Sequence, residues 1–214
     1  MVRRTKEDAL ETRNRILDAA VEVFNRQGVA QTSLGDVAAE AGVTRGAIYW
    51  HFTNKVAMFD AMIERLICPL MINDEDRDAW IASDPLDFIR TATGEFIGKM
   101  LNDASFRRVF EIFWHKCEYV GDMAALRDAR LEDGQSHIDV IHQAFTLAAD
   151  RGQIGDSLTP HQATIGLIGL IDGLLYNWTK NPRMFPLETY ARPILDSFFR
   201  SLGAAQETPA PPKA

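Results

Sequence analysis

The chain has 214 residues, of which 46% are hydrophobic, enough for one mid-sized domain or two small ones with a real core. Its two cysteines are too few for a disulfide framework, which favours a reducing cytoplasm. The net charge is −7, but residues 1–56 carry eight Lys and Arg against seven acids, so the acidic excess lies in the rest of the chain. This distribution permits a nucleic-acid partner for the first segment without establishing one.

Two further features argue against export and membrane insertion. The first residues, MVRRTKED, are charged and have no apolar core behind them, unlike a signal peptide. The most apolar run, residues 163–171, is about half as long as a membrane span requires. A cytoplasmic protein without a transmembrane segment is therefore predicted.

The first predicted helix covers Glu7 to Gln27, where apolar residues recur at helical spacing until Gly28 ends the pattern. A basic cluster precedes it and consists of Arg3, Arg4 and Lys6. This cluster is either an arm that enters the minor groove or lies along phosphates, or a solvated terminus.

The next stretch, residues 32–55, reads TSLGDVAAEAGVTRGAIYWHFTNK and has the spacing of a helix-turn-helix. The first short helix covers residues 34–41, and the second runs from Arg45 toward Phe52. Gly42 lies between them, where a sharp turn needs the positive φ that glycine tolerates. Hydroxyl side chains that can cap these helices are Thr32 or Ser33 for the first and Thr44 for the second.

The second of these helices has two chemically different faces. Ile48 and Phe52 fall on an apolar inner face, whereas Arg45 and Tyr49 lie one turn apart on an outer face. A two-helix unit with this outer face suits insertion into the major groove of DNA.

At this point the sequence resembles the DNA-binding domain of TetR-family transcriptional repressors. The resemblance rests on residues 11–17 and on residues 28–55, above all on the run Thr-Arg-Gly-Ala-Ile-Tyr-Trp-His-Phe, which is far more specific than a generic helix-turn-helix. It is closest to the AcrR and TtgR branch, which represses multidrug efflux pumps. The match is strongest over residues 1–60 and looser over 110–123 and 170–178.

Several residues of this unit are predicted to contact DNA. Arg45 can donate two hydrogen bonds to guanine O6 and N7, although a phosphate clamp is the alternative. Gly46 would let the backbone approach the groove floor. By resemblance, the family's DNA contacts fall on Thr32, Ser33, Thr44, Arg45, Gly46, Tyr49, Trp50, His51 and Lys55. Residue chemistry alone supports only Arg45, Tyr49 and Lys55, because capping explains the hydroxyls and burial is common for a residue such as Trp50.

The remaining sequence is predicted to be helical, with one exception. Asn54 can cap a fourth helix, which the resemblance implies is the connector to the second domain. The charged run DEDRD interrupts the apolar pattern and predicts a surface loop over Ile72–Ser83. Later helices are marked by Asp84-Pro85, by the aromatic residues 106–114, by residues 122–151 and by the Thr159–Gln162 capping box. Pro193 is expected to kink or delay the last helix.

The predicted fold is therefore all-α with about nine helices. Residues 1–56 form a three-helix DNA-binding domain that contains the helix-turn-helix, and residues 57–203 form a helical ligand-binding and dimerisation domain. The Pro-rich tail, residues 204–214, is predicted to be disordered.

A ligand pocket is expected in the second domain, because apolar side chains with a few polar groups are typical of such sites, although ordinary core packing explains the same spacing. The residues come from four predicted helices and are Phe96, Met100, Phe110, Phe113, Trp114, Cys117, Ile138, Ile141, Phe145, Ile168, Asp172 and Tyr176. By resemblance, Asp172 meets bound drug; pairing across a dimer or bonding to Tyr176 would also explain an acid in an apolar helix. A flat aromatic or lipophilic compound is favoured.

A homodimer is expected because one unit reads only a short half-site, whereas two recognition helices one DNA turn apart read a palindrome. The last two helices carry more apolar residues than one core face needs. The predicted interface consists of Ile165, Leu167, Leu174, Leu175, Ile194, Leu195, Phe198 and Phe199.

The resulting hypothesis is a bacterial repressor of an efflux operon, associated with the nucleoid when it is bound to double-stranded operator DNA. Ligand binding would shift the sixth predicted helix, which contains residues 106–114, and, through the fourth predicted helix, separate the two DNA-binding domains. A regulator of another operon without small-molecule control is the alternative. An enzyme is not expected, because His115 and Cys117 point apart on a helix and no phosphate loop or zinc-spaced set is present. No cofactor and no metal are predicted.

Overall fold

A computed structural model describes the residue ranges 6–67, 74–119 and 123–203. Arg3, Arg4 and the tail 204–214 lie outside these ranges. Ten α-helices and no strands occur in the described residues, which confirms the predicted all-α class. The helices are α1 (Lys6–Gln27), α2 (Leu34–Glu40), α3 (Arg45–His51), α4 (Lys55–Ile67), α5 (Asp74–Ser83), α6 (Pro85–Asn102), α7 (Ala104–His115), α8 (Ala124–Asp150), α9 (Pro160–Lys180) and α10 (Leu187–Ser201).

The helices group into two compact units. The first contains α1 to α4, α7 and the beginning of α8; the second contains α5, α6, the rest of α8, α9 and α10. The predicted domain boundary between residues 56 and 57 stays a prediction.

The first unit is built around α1, which packs against α2, α4 and α7. Its core holds fully buried side chains from several helices, among them Phe24 and Phe59, whose rings lie 5.9 Å apart. Ile48 of α3 is also fully buried in this core, and Phe52 is 3% exposed. Because α3 is anchored by these two apolar residues, its opposite side faces solvent.

The second unit shows that one loop prediction was wrong. The expected loop Ile72–Ser83 contains α5, which packs on α6 through Trp80 and Phe88, whose rings lie 5.5 Å apart. Ile81 is 1% exposed, and the Arg151 guanidinium donates a hydrogen bond to the Ser83 carbonyl at the end of the helix. The packing on α6 and the bond from Arg151 stabilise this helix. Its charged first turn interrupts the apolar pattern, which is why the sequence predicted a loop.

The last helix also begins earlier than expected. It starts at Leu187 and continues through Pro193, which lies on its exposed side and therefore does not disturb the buried face. The capping box at the start of α9 is confirmed, since the backbone N–H of Gln162 donates to the Thr159 hydroxyl at 3.2 Å and the backbone N–H of Thr159 donates to the Gln162 side-chain oxygen at 2.9 Å. Among the described residues, no helix has the length and apolar character to span a membrane.

Candidate nucleic-acid interface

The start of α2 is fixed by a reciprocal capping arrangement. The Ser33 hydroxyl accepts a hydrogen bond from the Asp36 N–H at 3.2 Å, and the Asp36 carboxylate accepts from the Ser33 N–H at 2.8 Å. The Ser33 N–H is the main cause that lowers the pKa of Asp36, the Ser33 hydroxyl contributes next, and the Arg45 charge adds a smaller part. Ser33 is therefore the cap of α2, one of the two alternatives that the sequence offered.

The turn between α2 and α3 depends on Gly42, whose φ is +63°. A Cβ at this position would meet nothing within 4 Å, so the requirement for glycine is conformational and not steric. The Val43 N–H then donates to the Ala38 carbonyl at 3.0 Å, and the buried Ala38 lets the two helices pack closely. The predicted turn is confirmed.

Helix α3 presents a polar and aromatic side to solvent. The Thr44 hydroxyl caps it by accepting from the Ala47 N–H at 3.2 Å. Tyr49 is 61% exposed and Trp50 is 72% exposed, so Trp50 is not a core residue. The His51 ring lies edge-on to Trp50 with centroids 4.5 Å apart. Arg45, Tyr49 and Trp50 thus form an exposed face that can meet a polyanion.

Arg45 borders an open cleft between α2 and α3. The cleft has a volume of about 220 Å³ and is lined by Ser33, Leu34, Gly35, Arg45, Ile48 and Tyr49. Gly46 is exposed, and its nearest neighbour would lie 3.9 Å from an added Cβ, so the backbone at this position is accessible. Sequence reasoning missed Gly35 and Asp36, although a glycine inside a short helix and an acid three residues after a serine were both visible signals.

Two of the residues predicted to contact DNA make hydrogen bonds inside the protein. The Lys55 ammonium donates to the carbonyls of Val29, Ala30 and Thr32 at 2.6, 3.1 and 3.1 Å, which occupies its three N–H donors. Thr32 is 4% exposed, and its hydroxyl donates to the Gly28 carbonyl at 2.7 Å. Both residues therefore hold the α1–α2 loop, and neither presents a free donor at the α3 face.

The same loop is held from a second side. The Val29 N–H donates to the Lys116 carbonyl, just after α7, at 2.9 Å. Gly28, with φ of +81°, makes the turn that brings the chain there. Residues 28–32 are thus bonded to the start of α4 and to the end of α7 within the first unit.

The residues predicted to line a ligand pocket divide between the two units. Phe110, Phe113, Trp114 and Cys117 belong to the first unit; Phe96, Met100, Ile138, Ile141, Phe145, Ile168, Asp172 and Tyr176 belong to the second. In the first unit, the rings of Phe110 and Trp114 lie 5.2 Å apart on α7, and burial raises the pKa of the Cys117 thiol. In the second unit, Met100 and Phe145 are fully buried. A pocket shared by these residues stays a prediction.

Asp172 combines solvent exposure with a perturbed carboxyl. Its surface is exposed in the single chain, yet desolvation by the surrounding apolar atoms raises its pKa. The carboxyl is therefore only partly desolvated, because water also reaches it. Tyr176, one turn further, is 39% exposed, and the Lys180 ammonium lies 5.9 Å from its ring centroid.

Half of the predicted dimer interface is core instead. Leu167, Leu175, Leu195 and Phe199 are between 0% and 7% exposed in the single chain, so they are not free to form a surface. Ile165 is 48% exposed, whereas Leu174, Ile194 and Phe198 are half-buried. An open groove of about 500 Å³ lies between α9 and α10 and is lined by Leu170, Pro193, Ile194, Ser197, Phe198 and Ser201. Sequence periodicity identified apolar faces but not which face packs internally.

No cluster of three or more His, Cys, Asp or Glu that could hold a metal occurs in the part of the chain that the structure describes. His142 and His161 do approach each other, with ring centroids 5.6 Å apart.

Family models match both parts of the chain. Residues 16–62 match the model described as "Bacterial regulatory proteins, tetR family", and residues 84–204 match "MAATS-type transcriptional repressor, C-terminal region". The first match covers the helix-turn-helix, and the second covers more than half of the chain.

Individual proteins are similar over nearly the whole length. The HTH-type transcriptional regulator TtgR of Pseudomonas putida is 40% identical over 189 residues, which cover 85% of this chain and 87% of that protein. The crystal structure of NalD, the secondary repressor of the MexAB-OprM multidrug efflux pump in Pseudomonas aeruginosa, has a TM-score of 0.82 at 33% identity and covers 94% of this chain and 100% of that one. The SmeT–triclosan complex has a TM-score of 0.77 at 26% identity and covers 95% and 99%. These relatives are regulators, which disfavours the enzyme alternative.

Proposed function

The chain belongs to the TetR family of transcriptional repressors, and we propose that it binds a palindromic operator as a dimer and is released by a lipophilic or aromatic compound. NalD represses a multidrug efflux pump, and this relationship supports an efflux operon as the target. The observation that carries the proposal is the face of α3 on which Arg45, Tyr49 and Trp50 are exposed.

The DNA-binding step follows from the chemistry of this face. The Arg45 guanidinium donates two hydrogen bonds to a guanine edge in the major groove, whereas Tyr49 and Trp50 donate O–H and N–H to phosphate oxygens. Ser33, Thr44, Gly46 and His51 lie around this face and complete the contact surface. Lys55 and Thr32 act indirectly, because their polar groups hold the loop that precedes α2.

The test compares Arg45→Ala with Arg192→Ala, which also removes one positive charge but at an exposed position on α10. Fluorescence anisotropy measures the affinity for DNA from upstream of the protein's own gene and, for comparison, the affinity for a duplex of random sequence. Arg45→Ala should lose about 1–3 kcal/mol on the operator and relax the preference at one base pair, whereas Arg192→Ala should lose nothing. Equal losses on operator and random DNA would show that Arg45 clamps phosphate.

Dimerisation is proposed through the groove side of α9 and α10. Its apolar lining and the exposed Ile165 support a second copy as the partner, and two copies supply the spacing of about 34–36 Å that a palindrome requires. Ile165→Glu should shift sedimentation toward the monomer. Met184→Glu places the same charge at a 63% exposed position after α9 and should not. A wild-type monomer at micromolar concentration contradicts the proposal.

Release by ligand requires a compound that binds the operator-free state more tightly than the bound state. The triclosan complex of SmeT supports a compound of this class, and triclosan itself is a suitable probe. Adding it to the protein–operator complex should lower anisotropy in step with ligand concentration. Tight triclosan binding that leaves operator affinity unchanged would favour a regulator without this control.

A further inference from the structure

Gly35 lies where its missing side chain makes room for Arg45. A Cβ built on Gly35 would be 3.3 Å from Nη2 of Arg45 and 3.4 Å from Nε. The distance to Nη2 is tighter than an ordinary contact of a Cβ, so a side chain at position 35 would require the guanidinium to shift. The Ser33 hydroxyl, 3.4 Å from the same point, forms the other side of this position.

The backbone does not explain the glycine. In the described residues, the glycines with positive φ are Gly28, Gly42 and Gly152, and Gly35 is not among them. Alanine is a better helix former than glycine at an ordinary helical position such as this one in α2. The glycine is therefore accounted for by what packs on it, which is the Arg45 side chain.

A negative charge on α2 lies near the guanidinium. Asp36 follows Gly35 in the helix, and the Arg45 charge is near enough to help lower the pKa of its carboxyl. The carboxylate is held in place by the Ser33 N–H and by the Ser33 hydroxyl, which donates to it at 2.7 Å. The Arg45 side chain thus lies between the backbone at Gly35 and a carboxylate that Ser33 holds in place.

We infer that Gly35 is a positioning residue for base recognition: it seats the Arg45 guanidinium at the mouth of the cleft so that both N–H donors point toward one base edge. This inference rests on the proposed base-reading role of Arg45. A bidentate contact tolerates little displacement, because hydrogen bonds weaken steeply as their angle departs from linear. A methyl group on Gly35 moves the guanidinium by a few tenths of an ångström and so acts on specificity, although Gly35 need not touch DNA.

The experiment is a double-mutant cycle of Gly35→Ala and Arg45→Ala, measured on the operator, on operator variants with each guanine replaced in turn, and on random DNA. Gly35→Ala should bind the operator about tenfold more weakly and lose preference at the base pair that Arg45→Ala also affects. It should bind random DNA as the wild type does, and it should unfold at the same or a higher temperature. In the Arg45→Ala background, Gly35→Ala should have no further effect.

Gly98→Ala provides the control, since an added Cβ at Gly98 on α6 meets nothing within 4 Å. It should leave operator binding unchanged. Unchanged or tighter operator binding by Gly35→Ala, an equal loss on all DNA, or an equal loss with Arg45 already removed would each overturn the positioning role. If Arg45→Ala itself leaves the base preference intact, the proposed base-reading role of Arg45 is wrong. This result differs from the outcomes that refute only the positioning role of Gly35.

Discussion

Replacement of Lys55 tests whether this residue holds a loop or binds DNA. In Lys55→Ala, the carbonyls of Val29, Ala30 and Thr32 lose the ammonium that donates to them at 2.6, 3.1 and 3.1 Å. Hydrogen bonds to charged groups contribute about 1.5–3 kcal/mol each, but Lys55 is only half-buried and water can replace part of the loss. We therefore expect a total destabilisation of ~2 kcal/mol, well below the sum of three bonds.

Two quantities are measured: the Tm of the variant, and its affinity for the operator as a function of salt concentration. For a chain of this size, ~2 kcal/mol corresponds to a decrease in Tm of about 4–8 °C. Affinity for the operator should fall because the loop before Ser33 is loosened. The dependence of log K on log salt should keep its slope, since no phosphate contact is lost; a phosphate contact would reduce the slope by about one.

Lys116→Ala is the matched control, because the Lys116 side chain is exposed and its backbone carbonyl still accepts from Val29. It carries the same charge change and should alter neither Tm nor slope. If Lys55→Ala leaves Tm unchanged and flattens the salt dependence, Lys55 binds phosphate as the sequence alone suggested, and the reasoning from its three carbonyl partners is refuted.

Two further substitutions address the cap of α2 and the carboxyl on α9. Ser33→Ala should destabilise the protein by ~1 kcal/mol in thermal unfolding, whereas Ser33→Gly should cost only a few tenths, because glycine is tolerated at an N-cap; equal losses would contradict the capping role. Asp172→Asn should stabilise the fold at neutral pH, since the pKa of Asp172 is raised and its charged form is therefore disfavoured in the folded state. This gain should shrink in urea unfolding as the pH falls through the folded pKa toward the ordinary value of 3.8, and a gain that is independent of pH would disprove it.

Local signals in the sequence were sufficient to predict the helix caps and the turn of the helix-turn-helix. Ser33, Thr44 and Thr159 are caps, and Gly42 has positive φ, because each of these features depends on a few neighbouring residues. The resemblance to TetR-family repressors, which these residues carry, is confirmed by matches over most of the chain.

Features that depend on tertiary packing were missed or left open. The charged start of α5 concealed a helix that is stabilised by packing on α6. Lys55 has the chemistry of a phosphate ligand, but the fold places three carbonyls within its reach. Leu167 and Phe199 are apolar at the predicted spacing, and only the packing reveals that they belong to the core. Residue type indicates what a side chain can bind, whereas tertiary structure decides what it meets.

The link between Val29 and Lys116 joins two main-chain groups. Alanine scanning therefore leaves it intact, and drift in either side chain over evolutionary time does not weaken it. Proline at position 29 removes the N–H donor and is the substitution that deletes the link. The bond between the end of α7 and the α1–α2 loop is therefore independent of which non-proline side chains stand at positions 29 and 116.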